Sequence, residues 1–339
     1  MEIIQNLIDK TKTSIEIFNS TKSLSEKINL LNCIIYNLLP SKFKTKYVNF
    51  LPISATIYIN TICNYRCSFC FLINEDHKGD KNMNLDMKGF DKIMNNDFLK
   101  YASRITLGGG EPYLNKNIFD FIKILKSKKK IISIYTNGSL IEKNYDQILK
   151  NQPNYLNISH YDEKFEDLKF ILKKFNNQKN CITRLSKIIQ ANKLDDIEKS
   201  IFDAIECDFD RVIFQNYFPY KDSEAELVLF ENNNTLKKIK KKFKRYKKQI
   251  KIIWPNVLNS KEGFNCNNIS VNTTIDSKGN LALCCFLTPP KESNGNIFNH
   301  SSNPWNSSEF IRFRSHYAKK SPSECSNCYF KNGIKNRVF

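Results

Sequence analysis

From about residue 52 onward the chain alternates short runs rich in β-branched and aromatic residues with amphipathic stretches of helical period. This alternation constrains the fold most. Strands separated by helices pair in parallel, with the helices laid against the sheet. Strands are expected near 54–59, 103–107, 131–135, 155–159, 181–185 and 211–215, and helices near 86–96, 117–128, 141–150, 163–175 and 195–206. No internal repeat points to a solenoid. The fold class read from the pattern is α/β with a parallel sheet.

The first of these strands runs into Ile59-Asn60-Thr61-Ile62-Cys63-Asn64-Tyr65-Arg66-Cys67-Ser68-Phe69-Cys70, which places Cys63, Cys67 and Cys70 in a C-x3-C-x2-C spacing. Structural zinc and electron-transfer clusters take four protein ligands, so three thiolates in one loop point to a cubane with one iron open to a small molecule. Half of a zinc site is the other reading of the triplet. The second strand runs into Thr106-Leu107-Gly108-Gly109-Gly110-Glu111-Pro112. Glycines let a backbone approach a ligand closely, and a carboxylate beside them can hold an ammonium group. Alone, Glu111 would do no more than favour the start of a following helix.

Taken together and in this order, the two motifs resemble the radical S-adenosylmethionine (SAM) superfamily, and Phe69 before the third cysteine fits as well. The resemblance implies a partial (β/α)6 TIM-like barrel with its site at the C-terminal ends of the strands. It implies a [4Fe-4S] cluster on Cys63, Cys67 and Cys70 whose fourth iron is chelated by SAM, with Gly109, Gly110 and Glu111 at the SAM amine. Thr136 and Asn137, ending the third strand, would lie close to SAM, although Asn137-Gly138 is also an ordinary turn. Ser159 stands where relatives often have a serine that reaches SAM. Arg184 is placed to pair with the SAM carboxylate, or is an ordinary surface arginine. His160 departs from the pattern of relatives and faces either substrate or solvent. Gln215 to Tyr220 either lines the substrate pocket or closes the barrel.

The last hundred residues hold a second cysteine group: Cys266, Gly279 and Cys284 form C-x12-G-x4-C, and Cys325 and Cys328 form C-x2-C. A hairpin with its turn at Asp276-Ser277-Lys278-Gly279 would bring Cys266 and Cys284 to one end, and a helix near 307–318 would return the C-x2-C pair to them. Four thiolates make a closed set, for an iron–sulfur cluster or for zinc. The arrangement resembles the twitch and SPASM extensions of radical SAM enzymes, which bind auxiliary [4Fe-4S] clusters, and the shorter twitch-like form is expected. Cys285 is a spare thiol; Cys33, Cys181 and Cys207 read as core positions.

Residues 2–39 read as two amphipathic helices, the second carrying Leu24, Ile28, Leu31, Ile35 and Leu38 and stopping at Pro40, packed on the barrel as a cap. The domains expected are 1–50, helical; 51–235, barrel; and 236–339, auxiliary cluster. Charges interrupt every apolar run, so neither a signal nor a membrane span is read, and a cytoplasmic protein is expected. Eleven cysteines then speak for cluster ligation rather than disulfides. The formal charge of +19 is spread along the whole chain. Its densest part, residues 237–250, places Ile239, Phe243, Tyr246 and Ile250 on one stripe of a solvated helix, so nucleic acid is not the expected partner.

By the resemblance, reduction of the cluster cleaves SAM to a 5′-deoxyadenosyl radical that removes a substrate hydrogen atom, and the auxiliary cluster takes up the surplus electron or binds the substrate. A low-potential donor such as flavodoxin or ferredoxin is implied. The expected substrate is a peptide or protein, with a small carbohydrate or nucleotide as the alternative. A basic, zinc-bearing nucleic-acid-binding protein is the reading from another class, and it leaves Gly108 to Glu111 unexplained.

Overall fold

The computed structural model describes residues 23–70, 83–219, 221–259, 263–284, 290–299 and 303–331. Seven parallel strands run in sequence order: β1 (Ser54–Asn60), β2 (Arg104–Gly109), β3 (Ile131–Thr136), β4 (Tyr155–Ser159), β5 (Ile182–Ile189), β6 (Arg211–Asn216) and β7 (Lys251–Ile253). At the other edge β8 (Asn272–Ile275) pairs in parallel with β1, and β9 (Asn280–Ala282) and β10 (Lys291–Asn296) follow it antiparallel. Among the described residues the ten-stranded order β10-β9-β8-β1 through β7 has two free ends, as a partial barrel requires. The six expected strands are all present. β7 was not expected, because three residues after a lysine run carry almost no alternation.

Helices return the chain between strands: α1 (Leu24–Leu38) precedes the barrel, then come α2 (Met87–Met94), α3 (Ile118–Ser127), α4 (Tyr145–Lys150), α5 (Lys169–Asn176), α6 (Asp196–Glu206) and α7 (Asn234–Lys242), with α8 (Ser308–Arg314) near the C-terminal end. They cover one face of the strands, where Ala55, Ile57, Ile105, Leu107, Ile132, Ile134, Leu156, Ile158 and Leu185 are fully buried. The alternate residues, among them Thr106, Ser133, Asn157 and Ser186, turn into the lumen. The core therefore lies between sheet and helices, and the lumen is polar.

The lysine run forms α7 and a 3-10 continuation to Lys248, with Ile239, Phe243 and Ile250 buried and Tyr246 packed beside them, as the stripe requires. α1 departs from expectation. Its apolar stripe faces outward, with Leu24 and Leu38 74% and 78% exposed, while Asn29, Leu30, Cys33 and Tyr36 form the packed face. Cys33, Cys181 and Cys207 are buried, and burial pushes their thiols up to about 12, 11 and 12. Cys285 lies outside the described residues. No helix among the described residues is long and apolar enough to cross a membrane.

Candidate cluster and cofactor site

Beyond β1 the chain crosses the C-terminal end of the sheet into the loop of Cys63, Cys67 and Cys70, and the end of β2 holds it there. Gly110 N–H donates to Asn60 O at 3.0 Å, Glu111 N–H to Ile62 O at 2.8 Å, and Asn60 Nδ2 returns to Glu111 O at 2.8 Å. A Cβ on Gly109 would lie 2.0 Å from Asn60 O, and one on Gly110 2.0 Å from Ile62 O. Gly109 also has φ +126°. The close approach expected toward a ligand is thus made toward the chain's own cysteine loop.

Glu111 is fully buried. Its Oε1 accepts Thr136 Oγ1–H at 2.8 Å and Tyr113 N–H at 3.2 Å, and its Oε2 accepts Asn137 N–H at 2.8 Å. Burial raises its pKa, against these three hydrogen bonds. One acceptor position on Oε2 carries no donor among the described residues. Asn137 passes the connection on: its Nδ2 donates to Asn64 Oδ1 at 2.8 Å and approaches Cys63 Sγ at 3.9 Å, while Ser139 Oγ bonds both Asn137 Oδ1 and Asn64 Nδ2. Asn137 therefore sits at the cysteine loop, and Thr136 is tied to it through Glu111.

Cys63, Cys67 and Cys70 are half-buried. Tyr65 N–H donates to Cys63 Sγ at 3.4 Å, and Cys70 N–H closes a turn onto Cys67 O. Burial, then the charges of Glu111 and Cys67, raise the Cys63 thiol against that N–H bond. Three thiols within eight residues of one loop are donors of the kind an iron–sulfur cluster takes, although among the described residues no three Cys, His, Asp or Glu side chains are arranged to hold a metal ion. Phe69 stacks on Tyr161 with centroids 6.2 Å apart and planes 8° apart, and Tyr65 meets the same ring edge-on at 5.3 Å. The Tyr161 hydroxyl, its ionisation held back by burial, interacts with Ser159 and Cys67. Sequence reasoning placed Phe69 and Ser159 here and overlooked Tyr161, whose signal was an aromatic two residues past a strand end.

Two expectations are corrected. Arg184 is not a surface arginine: it is buried in the lumen on the hydrogen-bonded row of Tyr135 and Asn157, one residue short of the end of β3 and two short of the end of β4, and its guanidinium turns to the Tyr155 ring, 3.9 Å from the centroid. His160 faces neither substrate nor solvent. Strand alternation turns it toward the helices, where Nε2 meets Asp203 Oδ2 at 2.8 Å and Nδ1 meets Ser200 Oγ at 3.3 Å. At the end of β6, Asn216 bonds both the N–H and the carbonyl of Leu229, and Tyr217 after it is buried, while Tyr220 lies outside the described residues.

The second cysteine group comes together. Asp276 Oδ1 accepts the N–H groups of Lys278 and Asn280, and Gly279 takes φ +80°, which turns the β8–β9 hairpin. Cys266, Cys284, Cys325 and Cys328 all line one recess, walled by Phe264 and Phe313. Cys266, Cys325 and Cys328 are buried. Phe330 N–H donates to Cys328 Sγ at 3.4 Å, the counterpart of Tyr65 on Cys63. Buried Lys44 donates to Asn265 and Asn267 at 2.8 and 2.7 Å; burial lowers its pKa to about 8 against the Cys266 charge. Four thiols lining one largely apolar recess, with a cation nearby, are donors of the kind a protein-ligated cluster or zinc takes.

Two family models match the two cysteine-bearing regions. The family model of the radical SAM superfamily matches residues 57–205, and that of the SPASM iron–sulfur cluster-binding domain matches residues 266–329. The chain is 28% identical over 141 residues to "Probable GTP 3′,8-cyclase" of Methanocaldococcus jannaschii, covering 41% of this chain and 46% of that one. It is 25% identical over 130 residues to GTP 3′,8-cyclase of Vibrio vulnificus, covering 38% and 37%. The matches thus span less than half the length of these relatives. Among solved structures, Streptococcus suis SuiB bound to S-adenosylmethionine superposes with TM-score 0.60 at 17% identity, covering 91% of this chain and 74% of that one. The anSMEcpe structure with bound AdoMet and Cp18Cys peptide gives 0.59 at 18%, covering 83% and 87%.

Proposed function

Because the chain is a radical SAM enzyme with a SPASM-like auxiliary-cluster domain, we propose that Cys63, Cys67 and Cys70 hold its SAM-binding [4Fe-4S] cluster, that Cys266, Cys284, Cys325 and Cys328 hold the auxiliary one, and that it modifies a peptide or protein by hydrogen abstraction. The convergence of four cysteines, drawn from a hairpin and a distant C-x2-C, on one recess carries this reading. The bound clusters and SAM supply the one-electron chemistry. The chain supplies position. Glu111 offers Oε2 to the SAM amine and fixes Thr136 and Asn137 beside the loop. Tyr65, Phe69 and Tyr161 shield the loop from water, which matters where a reactive radical must meet only its substrate.

The peptide preference draws on the likeness to SuiB, a structure of which holds its precursor peptide SuiA, because that likeness covers 91% of this chain. The nucleotide reading draws on the curated relatives named as GTP cyclases, whose likeness covers at most 46% of their length among those above. In either case the unit at 51–235 binds SAM and the unit at 236–339 carries the auxiliary cluster, with a low-potential flavodoxin or ferredoxin as donor. Anaerobic incubation of reduced protein with SAM tests the activity: 5′-deoxyadenosine must form, and must be absent in C63A/C67A/C70A. Its formation by that triple variant would overturn the assignment.

A further inference from the structure

The lumen carries cations that neither cysteine site uses. Arg104 opens β2 and Arg184 is the third residue of β5; they are 7% and 5% exposed, and their guanidinium carbons lie 5.0 and 3.9 Å from the Tyr155 ring centroid. Among the described residues, Nε and Nη2 of both arginines have no hydrogen-bond partner. Leaving a buried charged donor unpaired costs free energy, and a guanidinium fork presents its parallel N–H groups to a carboxylate or phosphate. One hydrogen-bonded row crosses the sheet through Tyr135, Asn157, Arg184, Arg211 and Lys251, so these side chains share the lumen face. No Asp or Glu occurs in any of β1 to β7 to neutralise them. Tyr135, on that row, is 41% exposed, so the lumen is open to solvent beside it. Asn157 Oδ1 is a buried acceptor, also without a partner.

We propose that Arg104 and Arg184 form an anion seat in the lumen, away from the cysteine loop, that holds an oxyanion of the substrate, a carboxylate or a phosphate. A hydroxyl or amide next to that oxyanion would satisfy Asn157 Oδ1. The seat rests on the reading that substrate enters the barrel lumen. The carboxylate of SAM, chelating a cluster at the strand ends, is set apart from it, since Arg104 opens β2 roughly 16 Å before that strand's end and both guanidiniums lie against Tyr155, the first residue of β4. What sits here is the far end of the substrate.

Thermal unfolding of the anaerobically reconstituted full chain, without SAM, is followed against sodium phosphate and, separately, disodium glutarate. The wild type should show a saturable rise in melting temperature with at least one of them, and the anion that saturates lower names the source. The half-saturation concentration should rise at least tenfold in R104Q and in R184Q, and also in R184K, which keeps the charge and loses the fork. The exposed α7 variant K237Q/K241Q controls for diffuse binding to a basic protein and should match the wild type. Half-saturation unchanged in R184K and R104Q, or raised equally in the α7 variant, would overturn the seat. Wild-type SAM cleavage is measured separately. No anion binding by a protein that cleaves SAM faults the seat alone, and anion binding by one that does not cleave SAM faults the activity alone.

Discussion

Glu111 Oε2 accepts the backbone N–H of Asn137 at 2.8 Å, so the carboxylate after β2 sets the position of the residue whose amide reaches Cys63. Glu111→Ala leaves three buried donors unsatisfied, on Tyr113, Thr136 and Asn137, at about 1–3 kcal/mol each. SAM cleavage should fall at least about tenfold, and first-cluster iron should fall with it, while Glu111→Gln should lie between alanine and wild type. Full cleavage by the alanine variant would show that the clamp does not position the loop.

Two glycines of one motif should respond differently to alanine. At Gly108 the new Cβ meets Thr56 and Tyr58 at ordinary contact distances of 3.8 and 4.0 Å, so Gly108→Ala should shift stability by no more than about 1 kcal/mol. At Gly110 it meets Ile62 O at 2.0 Å, and only a displacement of the cysteine loop relieves the overlap. Gly110→Ala should lose more than about 3 kcal/mol or bind markedly less iron. Equal melting temperatures and iron contents for the two variants would contradict the packing described.

Asp203 gives a pH-dependent prediction. Burial alone would raise its carboxyl pKa, but hydrogen bonds from His160 and Lys169 hold it below the usual carboxylate range. A depressed folded-state pKa contributes stability above the unfolded value, near 4, that is lost as pH falls through the folded value. Asp203→Asn should therefore cost about 2 kcal/mol in urea unfolding at pH 7, with the gap closing below about pH 4. A gap of constant size from pH 7 to pH 3 would rule this out.

Strand positions were legible because each of the first six strands has a run of β-branched residues between turn signals; Ile131 to Thr136 is an example. Motif positions followed, since Cys63, Glu111, Asn137 and Ser159 all lie at or just past strand ends. What the sequence hid depends on long-range register or on choosing between faces. The period of α1 shows an apolar stripe but not that Leu30, Cys33 and Tyr36, one face round, meet the protein. Cys33 Sγ reaches Ser270 O, a contact 237 residues away. Arg184 could be assigned to a strand, but its depth in the lumen follows from the register with Asn157 and Arg211. His160 was decided by alternation, which sends every second residue of β4 toward α6.

Iron and acid-labile sulfide per chain, measured after anaerobic reconstitution, test the two-cluster account most directly. The wild type should hold about eight of each, C63A/C67A/C70A about four, and C325A/C328A about four, with SAM cleavage kept only where the first loop is intact. About four irons in the wild type together with one bound zinc would contradict the auxiliary cluster, and zinc without iron would contradict the account at both sites.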